Sequence, residues 1–97
     1  MNLAWTQRAQ GDLISIGRFI AEDNIINAKK WIRKLRARAR KITDAPMSGR
    51  IVPEFENNNI REVFLENYRI VYLLQNETVL IITVFEGHKL LTKTSIL

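Results

Sequence analysis

The chain contains no cysteine among its 97 residues. That excludes a disulfide framework and any thiolate metal site. Histidine occurs once, at His88, so a zinc site would have to be built from one imidazole and carboxylates, against the usual ligand chemistry. Only two prolines and four glycines interrupt the chain, and no low-complexity segment or internal repeat is present. Long apolar runs are missing too. The longest, Val79 to Phe85 with Thr83 inside it, is too short to span a bilayer. The first residues, Met-Asn-Leu-Ala-Trp-Thr-Gln-Arg, lack the apolar core of a signal peptide, so the expected location is the cytoplasm, with no membrane partner. Acidic residues are absent from the whole stretch between Asn24 and Thr43.

The chain is otherwise an ordinary globular one, 46% hydrophobic and 26% charged. Its length predicts a single domain over 1–97 that buries roughly 60–70% of its unfolded surface. The net charge is +5. Lys29, Lys30, Arg33, Lys34, Arg36, Arg38, Arg40 and Lys41 crowd into the acid-free stretch. That charge faces solvent and counterions, nucleic acid, or an acidic protein.

Met1 to Trp5 reads as an edge strand. Thr6 is a fitting N-cap for a first helix, whose apolar stripe is Ala9, Leu13, Ile16 and Ile20. Gly11 and Gly17 weaken that helix or mark a close helix–helix approach. Glu22-Asp23-Asn24 breaks the pattern, and Asn24 can cap a second helix with an apolar face of Ala28, Trp31, Ile32, Leu35, Ala39 and Ile42. Two amphipathic helices with so short a link predict an antiparallel hairpin. Asp44 to Gly49 is a loop, and Arg50–Phe55 a short edge strand, Pro53 arguing against a central one. Strands near Ile60–Glu66, Tyr68–Gln75 and Thr78–Phe85 follow, with tight breaks at Glu66-Asn67 and Asn76-Glu77 that predict an antiparallel meander. The fold class is therefore α+β: an N-terminal strand, a two-helix antiparallel hairpin, then an antiparallel sheet of three to four strands. The last two strands are apolar on both faces. One face should meet the helices, and the other the C-terminal tail, a partner, or both.

This order of elements resembles the RelE/ParE superfamily of bacterial type II toxins. The resemblance covers most of the chain. It is carried by Trp5 through Leu13, with Ala9 and the Asp12-Leu13 pair; by Pro46 with Gly49-Arg50; by Arg61-Glu62; by Tyr68-Arg69-Ile70-Val71-Tyr72; and by Val84-Phe85-Glu86-Gly87-His88. It implies a small growth-inhibiting toxin, of the kind that stabilises a plasmid or chromosome, neutralised by a cognate antitoxin. Operator DNA would be contacted only through that antitoxin, and no cofactor is implied. Two activities are known in the superfamily. ParE-like members inhibit DNA gyrase and are not nucleases. RelE-like members cleave mRNA in the ribosomal A site without a metal.

Metal-free RNA cleavage needs cations to stabilise phosphorane charge and a group to move protons. By resemblance, Arg69 matches the superfamily arginine of the Tyr-Arg-Ile-Val-Tyr strand. Arg61 matches a basic position one strand earlier, and Lys89 stands where RelE-like members carry a second catalytic arginine. His88 completes the candidate set. The tail Leu90-Leu91-Thr92-Lys93-Thr94-Ser95-Ile96-Leu97 has no Tyr or His, so it lacks the acid–base group usual in the nucleases. This favours the ParE-like reading, in which Arg61, Arg69, His88, Lys89, Leu90 and Leu91 contact target or antitoxin, with Leu90 to Leu97 adding to a sheet edge or meeting the partner.

Each candidate has a plainer reading. Arg61 and Arg69 can pair across strands with Glu62, Glu66 or Glu86. His88 beside glycine reads as a turn residue, and the basic second helix as a solvated face. Trp31 fits the core, and packing is the simpler role for Tyr68 and Tyr72 than base stacking. Register decides whether the arginines act together. A two-residue turn at Glu66-Asn67 puts Arg61 and Arg69 on opposite faces; a three-residue turn puts them on one.

Overall fold

Thr6 both ends the first strand and starts the first helix in the computed structural model, which describes residues 1–87. The elements are β1 (Asn2–Trp5), α1 (Gln7–Ala21), α2 (Ile25–Ile42), β2 (Arg50–Ile51), β3 (Ile60–Leu65), β4 (Tyr68–Gln75) and β5 (Thr78–Glu86). The Thr6 side-chain oxygen accepts from the Ala9 amide at 3.0 Å. The Asn24 side chain does the same for the Asn27 amide at 2.9 Å. Each fills an otherwise orphan donor of a first helical turn. Gly17 faces α2, where a Cβ would lie 3.4 Å from the Ile32 side chain; Gly11 faces open space.

Five strands form one sheet in the order β1-β5-β4-β3-β2. The meander β3–β4–β5 is antiparallel, as is the pairing of β2 with β3, but β1 runs parallel to β5. The four strands after the hairpin form the expected antiparallel part, and the N-terminal strand joins them in parallel as the fifth, which makes the sheet mixed. The helical hairpin carries the chain from the β1 edge of the sheet across to the β2 edge, and the meander then returns to set β5 beside β1. At the other edge, β2 ends at Ile51 rather than continuing to Phe55. Pro53 has no amide to donate to a ladder.

The hairpin turns set the register. Leu65 pairs with Tyr68 across the two-residue turn Glu66-Asn67, and Gln75 with Thr78 across Asn76-Glu77. Asn76 and Glu77 both have positive φ, 50° and 59°, the backbone of a type I′ turn. One face of the sheet packs on the helices: Val63, Ile70, Tyr72, Val79, Ile81 and Val84 meet Ala9, Leu13, Leu35, Ala39 and Ile42. Fully burying side chains such as Leu35 and Ile42 stabilises the fold by ~1.5–3 kcal/mol each. The other face is covered in part by the chain itself. Val52 and Phe55, from the loop after β2, close over Ile60 and Val71.

Helix α2 carries its charge at a cost. Lys29–Arg33, Lys30–Lys34, Lys34–Arg38 and Arg36–Arg40 are like-charge pairs one turn apart, each destabilising a helix by ~0.2–0.5 kcal/mol. No carboxylate on the helix offsets them, and the first turn has no acidic residue.

Candidate functional site

The two arginines singled out by sequence stand back to back. Arg61 pairs with Tyr72, and Arg69 with Phe64, so the alternation of the strands puts Arg61 on the helix-facing side and Arg69 on the outer side. This is the two-residue-turn outcome. The structure does not bring them together as a joint phosphate clamp.

On the outer face, Arg69 is drawn into an ion network. Its Nε donates to Glu62 Oε1 at 2.8 Å, and its Nη2 makes a second contact with the same oxygen. Arg50 holds the other oxygen, with Nε 2.9 Å from Glu62 Oε2 and Nη2 also in contact. The Glu62 side chain is fully buried, that of Arg69 is 9% exposed, and that of Arg50 is 62% exposed. The Arg69 guanidinium also lies between two rings, 5.8 Å from the Phe64 centroid and 5.1 Å from that of Phe85. The carboxylate and the rings hold the Arg69 cation inside the sheet face. Arg50 keeps the more accessible charge.

Arg61 makes no ion pair among the described residues. Its Nη1 donates to the carbonyls of Met47 (3.0 Å) and Gly49 (2.9 Å), and its Nε to that of Asn58 (3.1 Å). It clamps the loop after α2 against the one before β3. Tyr72 supports the same loop: its hydroxyl donates to the Pro46 carbonyl at 2.7 Å and accepts from the Gly49 amide at 3.1 Å. Burial pushes the Tyr72 hydroxyl above the usual phenol range; the Gly49 hydrogen bond and the nearby Arg61 and Arg38 cations partly offset this. Gly49 is buried so tightly that a Cβ would sit 2.3 Å from the Tyr72 hydroxyl and 2.9 Å from the Glu62 carbonyl. Pro46, Gly49, Arg50, Arg61, Glu62, Arg69 and Tyr72 thus form one structural unit.

Asp12 has a similar role at the opposite edge. A bulge between Val71 and Tyr72 pairs Tyr72 with Ile81 but Val71 with Thr83, so Ile82 is the extra residue. There β1 has ended, and α1 side chains take its place. Thr6 donates to the Ile82 carbonyl at 2.9 Å. Asp12 accepts from the Thr83 hydroxyl at 2.5 Å and the Val84 amide at 3.0 Å.

Trp31 packs against Tyr68 with ring centroids 5.5 Å apart and planes tilted by 56°, a packing contact rather than a base platform. Together with Ile20, Glu66, Asn67 and Glu86 they line an open groove of about 170 Å³. That is small beside the ~300–1,000 Å³ of typical small-molecule sites. Burial and the Glu86 carboxylate both raise the Tyr68 pKa above the usual phenol range. Candidates His88, Lys89, Leu90 and Leu91, and the proposed role of the tail to Leu97, lie outside the described residues. No helix among the described residues is long and apolar enough to cross a membrane.

A family model, the ParE toxin of type II toxin–antitoxin systems, parDE, matches residues 3–91. The chain belongs to the ParE toxin family. A solved structure, the chromosomal ParDE toxin–antitoxin system from P. aeruginosa, superposes with a TM-score of 0.74 at 19% identity, over 89% of this chain and 95% of the other. It shares the ParE fold described above. A comparison with curated proteins found no match. The residues quoted for the RelE/ParE resemblance are largely those that tie the ParE sheet to its loop and helix. Glu62, one of the cross-strand partners the sequence offered for Arg61 or Arg69, pairs with Arg69, and Arg50, which stood in the pattern without a role, holds the other Glu62 oxygen. The alternation of Glu62 with the apolar Val63, and its charge opposite to that of Arg69, were the available signals.

Proposed function

We propose that this ParE-family toxin acts by binding a protein target, DNA gyrase, rather than by cleaving RNA. The observation that carries this is the condition of Arg69. A phosphate-stabilising arginine has to present free N–H groups to a substrate oxygen. Arg69 has two of its nitrogens on buried Glu62 and its plane near Phe64 and Phe85, and is 8% exposed. Arg61 lies on the far face and is spent on three carbonyls.

A protein-binding mode also accounts for apolar surface that folding does not use. Phe19, Ile25 and Ile26, exposed by 71%, 63% and 79%, cluster in sequence at the tip of the helical hairpin. Exposed apolar groups concentrated in this way mark protein contacts. The apolar tip of the hairpin also suits an amphipathic antitoxin segment, consistent with the antitoxin partner implied by the family.

A supercoiling assay with purified gyrase tests the proposal. Loss of supercoiling at micromolar toxin is the expected result. Unchanged supercoiling, with new A-site cuts in cellular mRNA mapped by primer extension after induction, would establish the RelE-like alternative instead.

A further inference from the structure

Helix α2 carries eight of the chain's fifteen basic residues and no acidic one, and the ion network uses none of them. At 100° per residue, Lys29, Arg33, Arg36 and Arg40 fall within about 60° of one another, and they span about 16 Å along the axis. All four are exposed. Lys30, Lys34, Arg38 and Lys41 make a second row beside them. None of the eight is in a salt bridge among the described residues. The only described partners of their charged groups are aromatic rings: Lys34 lies 4.9 Å from the Trp31 centroid, and Arg36 5.5 Å from that of Trp5.

Such a row of like charges opposes helix formation, and only the ring contacts of Lys34 and Arg36 return anything to the fold. The chemistry of the face indicates what it meets. A protein partner needs apolar anchors at the centre of its footprint and few charges there. Between Asn27 and Thr43, however, the exposed large hydrophobics of this chain are absent; Ile25 and Ile26 precede the face and Met47 follows it. A phosphate backbone needs only cations in register with its charges.

We infer that the outer face of α2 binds the phosphate backbone of duplex DNA without reading its sequence, separately from any operator recognition by an antitoxin. In the gyrase setting, that duplex would be DNA held on the enzyme.

The test is fluorescence anisotropy of a random-sequence duplex with the full chain across a salt series. Four phosphate contacts give a log–log slope near −3.6, hence a loss of about 150-fold in affinity between 50 and 200 mM salt. Arg33→Gln with Arg40→Gln should reduce that part of the loss to about 12-fold. Arg8→Gln with Arg18→Gln removes the same charge from exposed positions of α1 and should leave the slope within ~0.5 unit of wild type. Equal effects of the two pairs would reduce the effect to net charge and overturn the inference. So would binding of polyglutamate without binding of duplex DNA. A supercoiling assay run alongside separates this inference from the gyrase reading. Inhibition without DNA binding overturns only the DNA contact, and DNA binding with normal supercoiling overturns only the gyrase target.

Discussion

Replacing Glu62 by Gln should be among the most damaging isosteric changes available to this protein. The side chain keeps its size and loses its charge in a place water does not reach: Glu62 is fully buried and Arg69 is 9% exposed. The amide cannot satisfy two guanidinium groups, and Arg69 becomes a buried cation without a counter-charge. Breaking a buried pair in this way costs ~3–5 kcal/mol, against a total stability of ~5–15 kcal/mol for a domain. At ~4–8 °C per kcal/mol for a chain of this size, the melting temperature should fall by at least ~12 °C. Arg50→Gln is the matched control. It breaks the other arm of the same carboxylate, but at a side chain 62% exposed, where pairing contributes ~1 kcal/mol or less. Glu62→Leu with Arg69→Met removes both buried charges together and should melt close to wild type, because well-packed apolar groups often replace a buried pair without loss. Thermal unfolding followed by circular dichroism measures all three. Equal shifts for Glu62→Gln and Arg50→Gln, or a double variant as unstable as Glu62→Gln, would refute the buried-network reasoning.

Gly49→Ala should destabilise by ~1–3 kcal/mol in urea titration, because its Cβ would overlap the Tyr72 hydroxyl and the Glu62 carbonyl. Tyr72→Phe orphans the Gly49 amide and the Pro46 carbonyl and should cost ~1–3 kcal/mol at neutral pH. It should also remove part of the alkaline sensitivity. The Tyr72 pKa is raised in the folded state above the unfolded value of 10.0, so its contribution is complete below pH 10.0 and is lost as pH rises through the higher folded pKa. A stability–pH profile of the variant as steep as wild type above pH 10.0 would contradict this. Glu77→Gly relieves a positive φ of 59° in the β4–β5 turn and creates the favoured Asn-Gly pair. It should raise the melting temperature modestly, and a lower one would count against the turn assignment.

Much of the fold was legible because local and global signals agreed. Thr6 and Asn24 cap the helices they were expected to cap, and the apolar stripes of both helices face the sheet. The parallel pairing of β1 was not legible: four residues of strand carry no signal for direction, which the returning hairpin decides. The cover over the outer face was not legible either. Val52 and Phe55 looked like strand residues, and Pro53 between them turns the pair into a loop that folds back on the sheet. Among candidate site residues, the sequence marked Arg61 and Arg69 as notable but left their faces open, since one residue more or less in a turn reverses them. The register placed them apart, and one glutamate beside Arg61 in sequence proved to be the partner of Arg69.

If the arginine-bearing sheet is a binding scaffold and Arg69 a structural residue within it, gyrase inhibition should survive the loss of the buried ion pair. Gyrase supercoiling titrated with wild-type protein and with the Glu62→Leu, Arg69→Met variant tests this most directly. Both should inhibit at similar concentrations, since the variant keeps the scaffold and loses only buried charge. Unimpaired supercoiling in the presence of wild type, together with A-site mRNA cleavage that disappears in a folded Arg69 variant, would contradict the scaffold role.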